Sequence, residues 1–173
     1  VDDCSGPEEE IRLTDILLRY ADMPIKYFRF DEHRGIAEAD NQMLARCETE
    51  FFCLLSADDT LDPTFLSVVL AQFKRDPWLE FVASQTDFID KDGKPHEADH
   101  PMKKILKAAN KDRTVWLHQL YYGNQYFGCG VYRTQAVRQI GGWKTEYGCI
   151  MDYEMYVALL QRENIYVVEE NLT

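Results

Sequence analysis

Apolar and polar positions alternate between two periods along this chain, and the switches between them predict the elements. "EEEIRLTDILLRYA" places Ile11, Ile16, Leu17 and Tyr20 near helical spacing, with acids in the first turn where the helix dipole favours them. "IKYFRF" (25–30) alternates and is rich in aromatics, which predicts a strand. "GIAEADNQMLARC" (35–47) predicts a helix with Ala37, Met43 and Leu44 among its apolar positions. "FFCLL" (51–55) is a short continuous apolar run, as in a strand covered on both faces. "DPTFLSVVLAQFKRDP" (62–77) predicts a helix with Pro63 in its first turn and Asp62 as the cap. "EFVASQTDFID" (80–90) predicts a strand, followed by the turn "KDGK". Residues 97–118 are basic and fit either a loop or a short helix over a cleft. After the Gly/aromatic stretch "YYGNQYFGCGVYR" come a helix "TQAVRQIGG", the segment "WKTEYGCIMD", a helix "YEMYVALLQREN" and a closing strand "IYVVEE" (165–170). Strands alternating with helices predict an α/β sheet with crossover connections.

The bulk numbers narrow the class. A chain of 173 residues, 46% hydrophobic and 13% aromatic, can bury one sizeable core, so a single domain over 1–173 is expected. The opening "VDDCSGPEEE" reads as the tail of a strand running into an acidic helix start, so the domain is expected to be incomplete at its N-terminus. No apolar run approaches the roughly 18 residues needed to span a membrane. Any membrane association would therefore not run through this segment. A net charge of −11, from 30 acidic and 19 basic residues, disfavours a nucleic-acid partner. It does not exclude a phosphate ligand, because a bound cation can reverse the local field. Five scattered cysteines without a CxxC pair fit reduced thiols in a cytoplasmic protein, and Cys53 reads as a small core residue.

Three acidic clusters fall where ligands bind in an open α/β sheet, beyond the carboxyl ends of strands. Asp2 and Asp3 follow an apparent strand tail, Asp58 and Asp59 follow "FFCLL", and Asp152 precedes a late helix. Each also has an ordinary explanation, as turn residues, as a cap, or as a first-turn helix acid. Adjacent carboxylates repel unless something positive stands beside them. A divalent Mg or Mn ion takes oxygen ligands, usually one or two carboxylates completed by phosphate oxygens and water. The four histidines (His33, His96, His100, His118) lack ligand spacing for zinc. "DKDG" lacks the ladder of a calcium loop. Ser56 lies outside any G-x-S-x-G elbow, which disfavours a serine hydrolase.

Taken in order, these pieces resemble the family 2 glycosyltransferases. "VDDCS" is similar to that family's VDDGS, "RGIAEADN" to its G-x-x-x-A-R-N, and "LLSADDTLDPTFL" to its D-x-D-D strand end followed by x-L-x-P. "FIDKDGK" is similar to its hairpin, "GCGVYRTQAVRQIGGW" to its G-x-x-x-x-R…IGGF segment, and "YGCIMDYEMYVALL" to the stretch holding its E-D dyad. The resemblance implies a GT-A fold, a mostly parallel sheet flanked by helices. It implies transfer of a sugar from a nucleotide-diphosphate donor, a UDP-sugar by expectation, to a hydroxyl of a glycan, glycolipid or other acceptor. The displacement would be direct, with inversion. It further implies that Asp59, with Asp58, holds a divalent cation. Asp2, Asp3, Arg34, Gly35, Asn41 and Asp58 would bind the nucleotide. Asp152 would be the general base, and Gly142 and Trp143 would contact the acceptor. A cytoplasmic location follows as an expectation, with surface polysaccharide as the product class. The chain departs from the family at Ser56 (first acid of D-x-D-D), Asp40 (Arg) and Met151 (Glu of the dyad). Trp143 also suits core packing, and Tyr121, Tyr122 and Tyr126 suit either packing or sugar stacking. Two rival functions remain: a degenerate domain kept for binding or assembly, and a nucleotidyltransferase, which would carry a glycine-rich phosphate loop near its first strand.

Overall fold

The computed structural model describes residues 1–95, 129–162 and 164–173. The expectations for 97–118, for Tyr121, Tyr122 and Tyr126, and for His96, His100 and His118 lie outside them. The chain forms two compact units, Val1–Arg46 and Cys47–Thr173.

The first unit holds helices α1 (Pro7–Arg19) and α2 (Ile36–Arg46). Pro7 opens α1, where its missing N–H costs nothing, and Glu8, Glu9 and Glu10 complement the dipole. None of α1's residues is buried; Ile11, Ile16, Leu18 and Tyr20 are exposed. α2 buries Ala37, Ala39, Asp40 and Leu44, a helical stripe in which an acid stands among apolar side chains. The strand expected over 25–30 is reduced to one parallel bridge, Asp2 with Arg29. Its aromatics interact locally instead. Phe28 and Phe30 pack edge to face, and the Arg46 guanidinium lies 3.8 Å from the Phe28 ring centre.

The second unit is a four-stranded sheet in the order β1-β3-β2-β4, comprising β1 (Phe51–Cys53), β2 (Phe81–Gln85), β3 (Gly130–Arg133) and β4 (Ile165–Asn171). β1, β2 and β4 run in one direction, and β3 lies antiparallel between β1 and β2. The sheet is therefore mixed. Alternation along the strands sorts its two faces. Val82, Val131 and Val168 pack with Phe65, Val69 and Phe73 of helix α3 (Phe65–Arg75). Phe81, Tyr132 and Phe52 face the other way, where Tyr132 stacks between Phe52 (5.2 Å) and Phe81 (4.5 Å). That face meets Tyr156 of helix α5 (Met151–Gln161). α3 starts two residues after Pro63. Asp62 caps the turn before it, its carboxylate accepting from the Thr64 N–H and hydroxyl at 2.8 and 2.6 Å. Arg162, at the end of α5, grips the buried Glu80 through two bonds of 2.6 and 2.7 Å, fixing α5 to the start of β2.

Gly130 has no side chain because the Phe81 ring occupies the space a Cβ would need. Gly130→Ala is expected to cost about 2 kcal/mol by overpacking the β2–β3 contact. Urea unfolding with an unchanged m-value checks this.

Candidate functional site

The carboxyl ends of β1, β2 and β4 and the amino end of β3 meet at one edge of the sheet, a consequence of their directions. A cavity of about 870 Å³ opens there. The loop after β1 supplies Asp58 to Asp62, the segment after β2 supplies Thr86 to Lys91 and Gly93, β3 is preceded by Cys129, and β4 ends in Asn171, Leu172 and Thr173. The Asp62 N–H donates to Leu172 O at 2.9 Å and the Asp87 N–H to Thr173 O at 2.8 Å, tying the three strand ends together.

Among the described residues, five aspartates line this cavity together with Lys91. Three of them already have donors. Asp62 holds Thr64, Asp87 accepts from the Asn171 amide at 2.9 Å, and Asp90 accepts from the Asp92 and Lys94 N–H groups to shape the hairpin closed by the Ile89–Pro95 bridge. Asp58 and Asp59 are exposed and accept no hydrogen bond and form no ion pair among the described residues. Among the described residues they are the cleft's aspartates without such a partner. No group of three His, Cys, Asp or Glu side chains among the described residues forms a ready metal cage. Two hard carboxylates suit an ion completed by phosphate oxygens and water, so the donor set fits Mg²⁺ or Mn²⁺.

The remaining second-unit candidates do not line the cavity. Asp152 stands in the first turn of α5, half-buried, with its Oδ1 accepting from the Tyr153 N–H at 2.7 Å. Met151, beside it, is buried. Trp143 is 3% exposed and packs edge-on against Phe52 and Tyr132, so it fills the core in this structure. Gly141 and Gly142, at φ 84° and 68°, end helix α4 (Thr134–Gln139), and the Gly142 N–H closes on Val137 O at 3.0 Å. The geometry thus gives Gly142 a capping role.

In the first unit, Asp3 accepts from the Arg34 and Gly35 N–H groups at 2.7 and 2.8 Å and meets His33 Nδ1 at 2.7 Å. Asp3 therefore pins the Arg34–Gly35 segment just before α2, where Gly35 takes φ 89°. The Arg34 side chain is exposed beside Phe30, and Asn41 lies on α2. Asp2 is committed internally, to the Ser5 N–H (2.8 Å), the Tyr27 hydroxyl (2.6 Å) and Arg29 (3.3 Å). Burial works to raise its pKa, but the Ser5 and Tyr27 bonds and the Arg29 charge prevail and hold it at about 2. A carboxylate so occupied shapes the loop around Ser5, Tyr27 and Arg29. Cys4, where the resembled motif has Gly, takes φ 64°.

Asp40 is 8% exposed, and burial pushes its pKa up to about 7. A carboxyl whose folded pKa lies above its unfolded value destabilises progressively as pH rises from about 4 to 7. Asp40→Asn removes that charge. It is expected to change little at pH 4 and to stabilise by about 2 kcal/mol at pH 8, read from thermal melts at the two pH values.

The strand-end rule applied to "IYVVEE" would have found Asn171 to Thr173, which sequence reasoning missed. The hairpin motif pointed to Asp90 and Lys91, but nothing singled out Asp87.

The comparisons agree with this architecture. The family model for glycosyl transferase family 2 matches residues 1–141. The chain is 24% identical over 164 residues to the uncharacterized protein y4gI of Sinorhizobium fredii (strain NBRC 101917 / NGR234), covering 93% of this chain and 16% of that protein. Residues 1–349 of S. aureus TarS superpose with a TM-score of 0.72 at 15% identity, over 99% of this chain and 48% of that one. The mannosyltransferase PcManGT of Pyrobaculum calidifontis, solved with GDP-Man and Mn²⁺, gives 0.67 at 15% identity, over 99% and 44%. The chain thus spans about half of these solved structures or less, and has the GT-A fold of glycosyltransferases. With the family's pattern covering most of its length, the chain belongs to glycosyl transferase family 2.

Proposed function

We propose that this domain transfers a sugar from a nucleotide-diphosphate donor to an acceptor hydroxyl, directly and with inversion. The observation that carries the reading is the pair of uncommitted carboxylates, Asp58 and Asp59, at the edge where the three parallel strands end. Asp59 and Asp58 would hold a divalent cation. Bound there, the ion supplies neutralisation of charge on the departing diphosphate. By the family's pattern, Asp2, Asp3, Arg34, Gly35, Asn41 and Asp58 would serve the nucleotide. Asp152 takes the proton of the acceptor hydroxyl. The structural neighbours support this only by analogy of fold: PcManGT was solved in complex with GDP-Man and Mn²⁺.

The test is calorimetric titration of UDP, GDP and dTDP into the full-length protein, with Mn²⁺ and then with EDTA. Binding of one nucleotide that EDTA abolishes is expected. Failure of all three in Mn²⁺ would favour a domain kept for binding or assembly. The buried Asp40 and Met151, at positions where the resembled motifs have Arg and Glu, are the observations on that side.

A further inference from the structure

β2 ends at Gln85, on the edge of the sheet where the cleft opens. Its backbone is committed: Gln85 pairs with Asn171, and its carbonyl accepts from the Leu172 N–H at 3.1 Å. The side chain is 2% exposed, yet its Nε2 has no hydrogen-bond partner among the described residues. An amide donor removed from water and left unpaired destabilises the fold, so such a group calls for an explanation. Strand alternation gives its direction, because Phe81, Ala83 and Gln85 share one face of β2. The register shift beside them spans two steps of β2 and four of β4, so the extra residues belong to β4 and the alternation of β2 stands. On that face the Phe81 and Tyr156 rings lie 5.6 Å apart, and Arg162 grips Glu80, so α5 runs opposite to β2 with its first turn towards the cleft end. Phe81 to Gln85 is about 13 Å at strand rise, and Tyr156 back to Asp152 is about 6 Å at helix rise. Gln85 and Asp152 therefore share one face and one end of the sheet. Thr86, the next residue, lines the cavity with Asp58 and Asp59.

We propose that Gln85 is a specificity-determining residue, whose buried amide N–H donates to a hydroxyl of the sugar carried on the nucleotide donor. The inference rests on the glycosyl-transfer reading and names a determinant within it. In that reading the diphosphate lies by Asp58 and Asp59 and the base is Asp152, so the sugar lies between them. Gln85 is the strand-end donor on the Asp152 side, one residue from the cavity wall at Thr86. A donor without an internal partner is satisfied only when a hydroxyl reaches it. A sugar with no hydroxyl at that position leaves the donor unpaired and shut off from water. Discrimination then comes from the penalty on the wrong sugar as well as from the bond to the right one. The ligand-free protein carries the unpaired donor as a standing destabilisation, as preorganised sites do.

The test is Gln85→Met in the full-length protein, which keeps an unbranched side chain of similar length and removes the donor. Without ligand, the variant should melt at the wild-type temperature or above it, because no internal bond is lost. Calorimetry in Mn²⁺ then compares UDP with UDP-glucose, UDP-galactose and UDP-N-acetylglucosamine, and GDP with GDP-mannose. In the wild-type protein one nucleotide sugar should bind more tightly than its bare nucleotide. Gln85→Met should lose at least about tenfold of that preference, with affinity for the bare nucleotide held within about twofold. A melt lowered by several degrees, or a variant that does not fold, would overturn the proposal by making the amide a structural group. So would an unchanged sugar preference, an equal loss for sugar and bare nucleotide, or a wild-type protein indifferent to the sugar. If the wild-type protein binds no nucleotide, the glycosyl-transfer reading falls and this inference with it. Nucleotide-sugar binding that Gln85→Met leaves untouched sinks the inference alone.

Discussion

Asp59→Ala is expected to weaken metal-dependent UDP binding at least about 100-fold, near 3 kcal/mol, while leaving the melting temperature almost unchanged. Both halves follow from the same observation. The Asp59 carboxylate is exposed and accepts no hydrogen bond among the described residues, so its removal leaves no buried donor unpaired. Its neighbours behave differently. Asp62 and Asp90 hold backbone N–H groups, and their alanine variants should lose stability and binding together. The decisive measurement is calorimetry of UDP in Mn²⁺ and in EDTA, beside a thermal melt. Unchanged affinity in Asp59→Ala would remove that carboxylate from the donor site.

Asp152→Asn should lower transfer by about 10²–10⁴-fold with UDP affinity intact. The amide keeps the oxygen that accepts from the Tyr153 N–H, so the first turn of α5 is preserved, but it cannot take a proton. The comparison is kcat against nucleotide Kd in the same preparation, using a donor found by screening. Loss of nucleotide binding would make Asp152 a structural residue.

Much of the fold was legible because its signals are local. The apolar run at 51–55, the helix from Phe65 and the closing strand at Ile165 follow from periodicity and from flanking Pro and Asp residues. The failures were tertiary. Residues 25–30 have a strand's alternation, yet Ile25 and Tyr27 are exposed and only Arg29 finds a bridge, because alternation describes a face and not a partner. Nothing in "GCGVYR" says that it enters between β1 and β2 in the opposite sense. Strand order, and with it the presence of Asn171 to Thr173 beside Asp58, is decided by pairing over long separations. The candidate site was half legible for the same reason. The paired aspartates announce themselves, but sequence cannot tell a carboxylate held by internal donors, such as Asp2, from one such as Asp59 that accepts no hydrogen bond among the described residues.

The antiparallel insertion of β3 has a consequence for how such proteins diversify. β2 ends at the cleft edge and β3 begins at that same edge, so Thr86 to Lys91 on one side and Cys129 on the other both line the cavity. The registers of β1 to β4 are set by residues within Phe51–Cys53, Phe81–Gln85, Gly130–Arg133 and Ile165–Asn171. Substitutions at the cleft edge therefore leave those pairings untouched, and lineages sharing this topology are expected to vary more at the edge than within the strands.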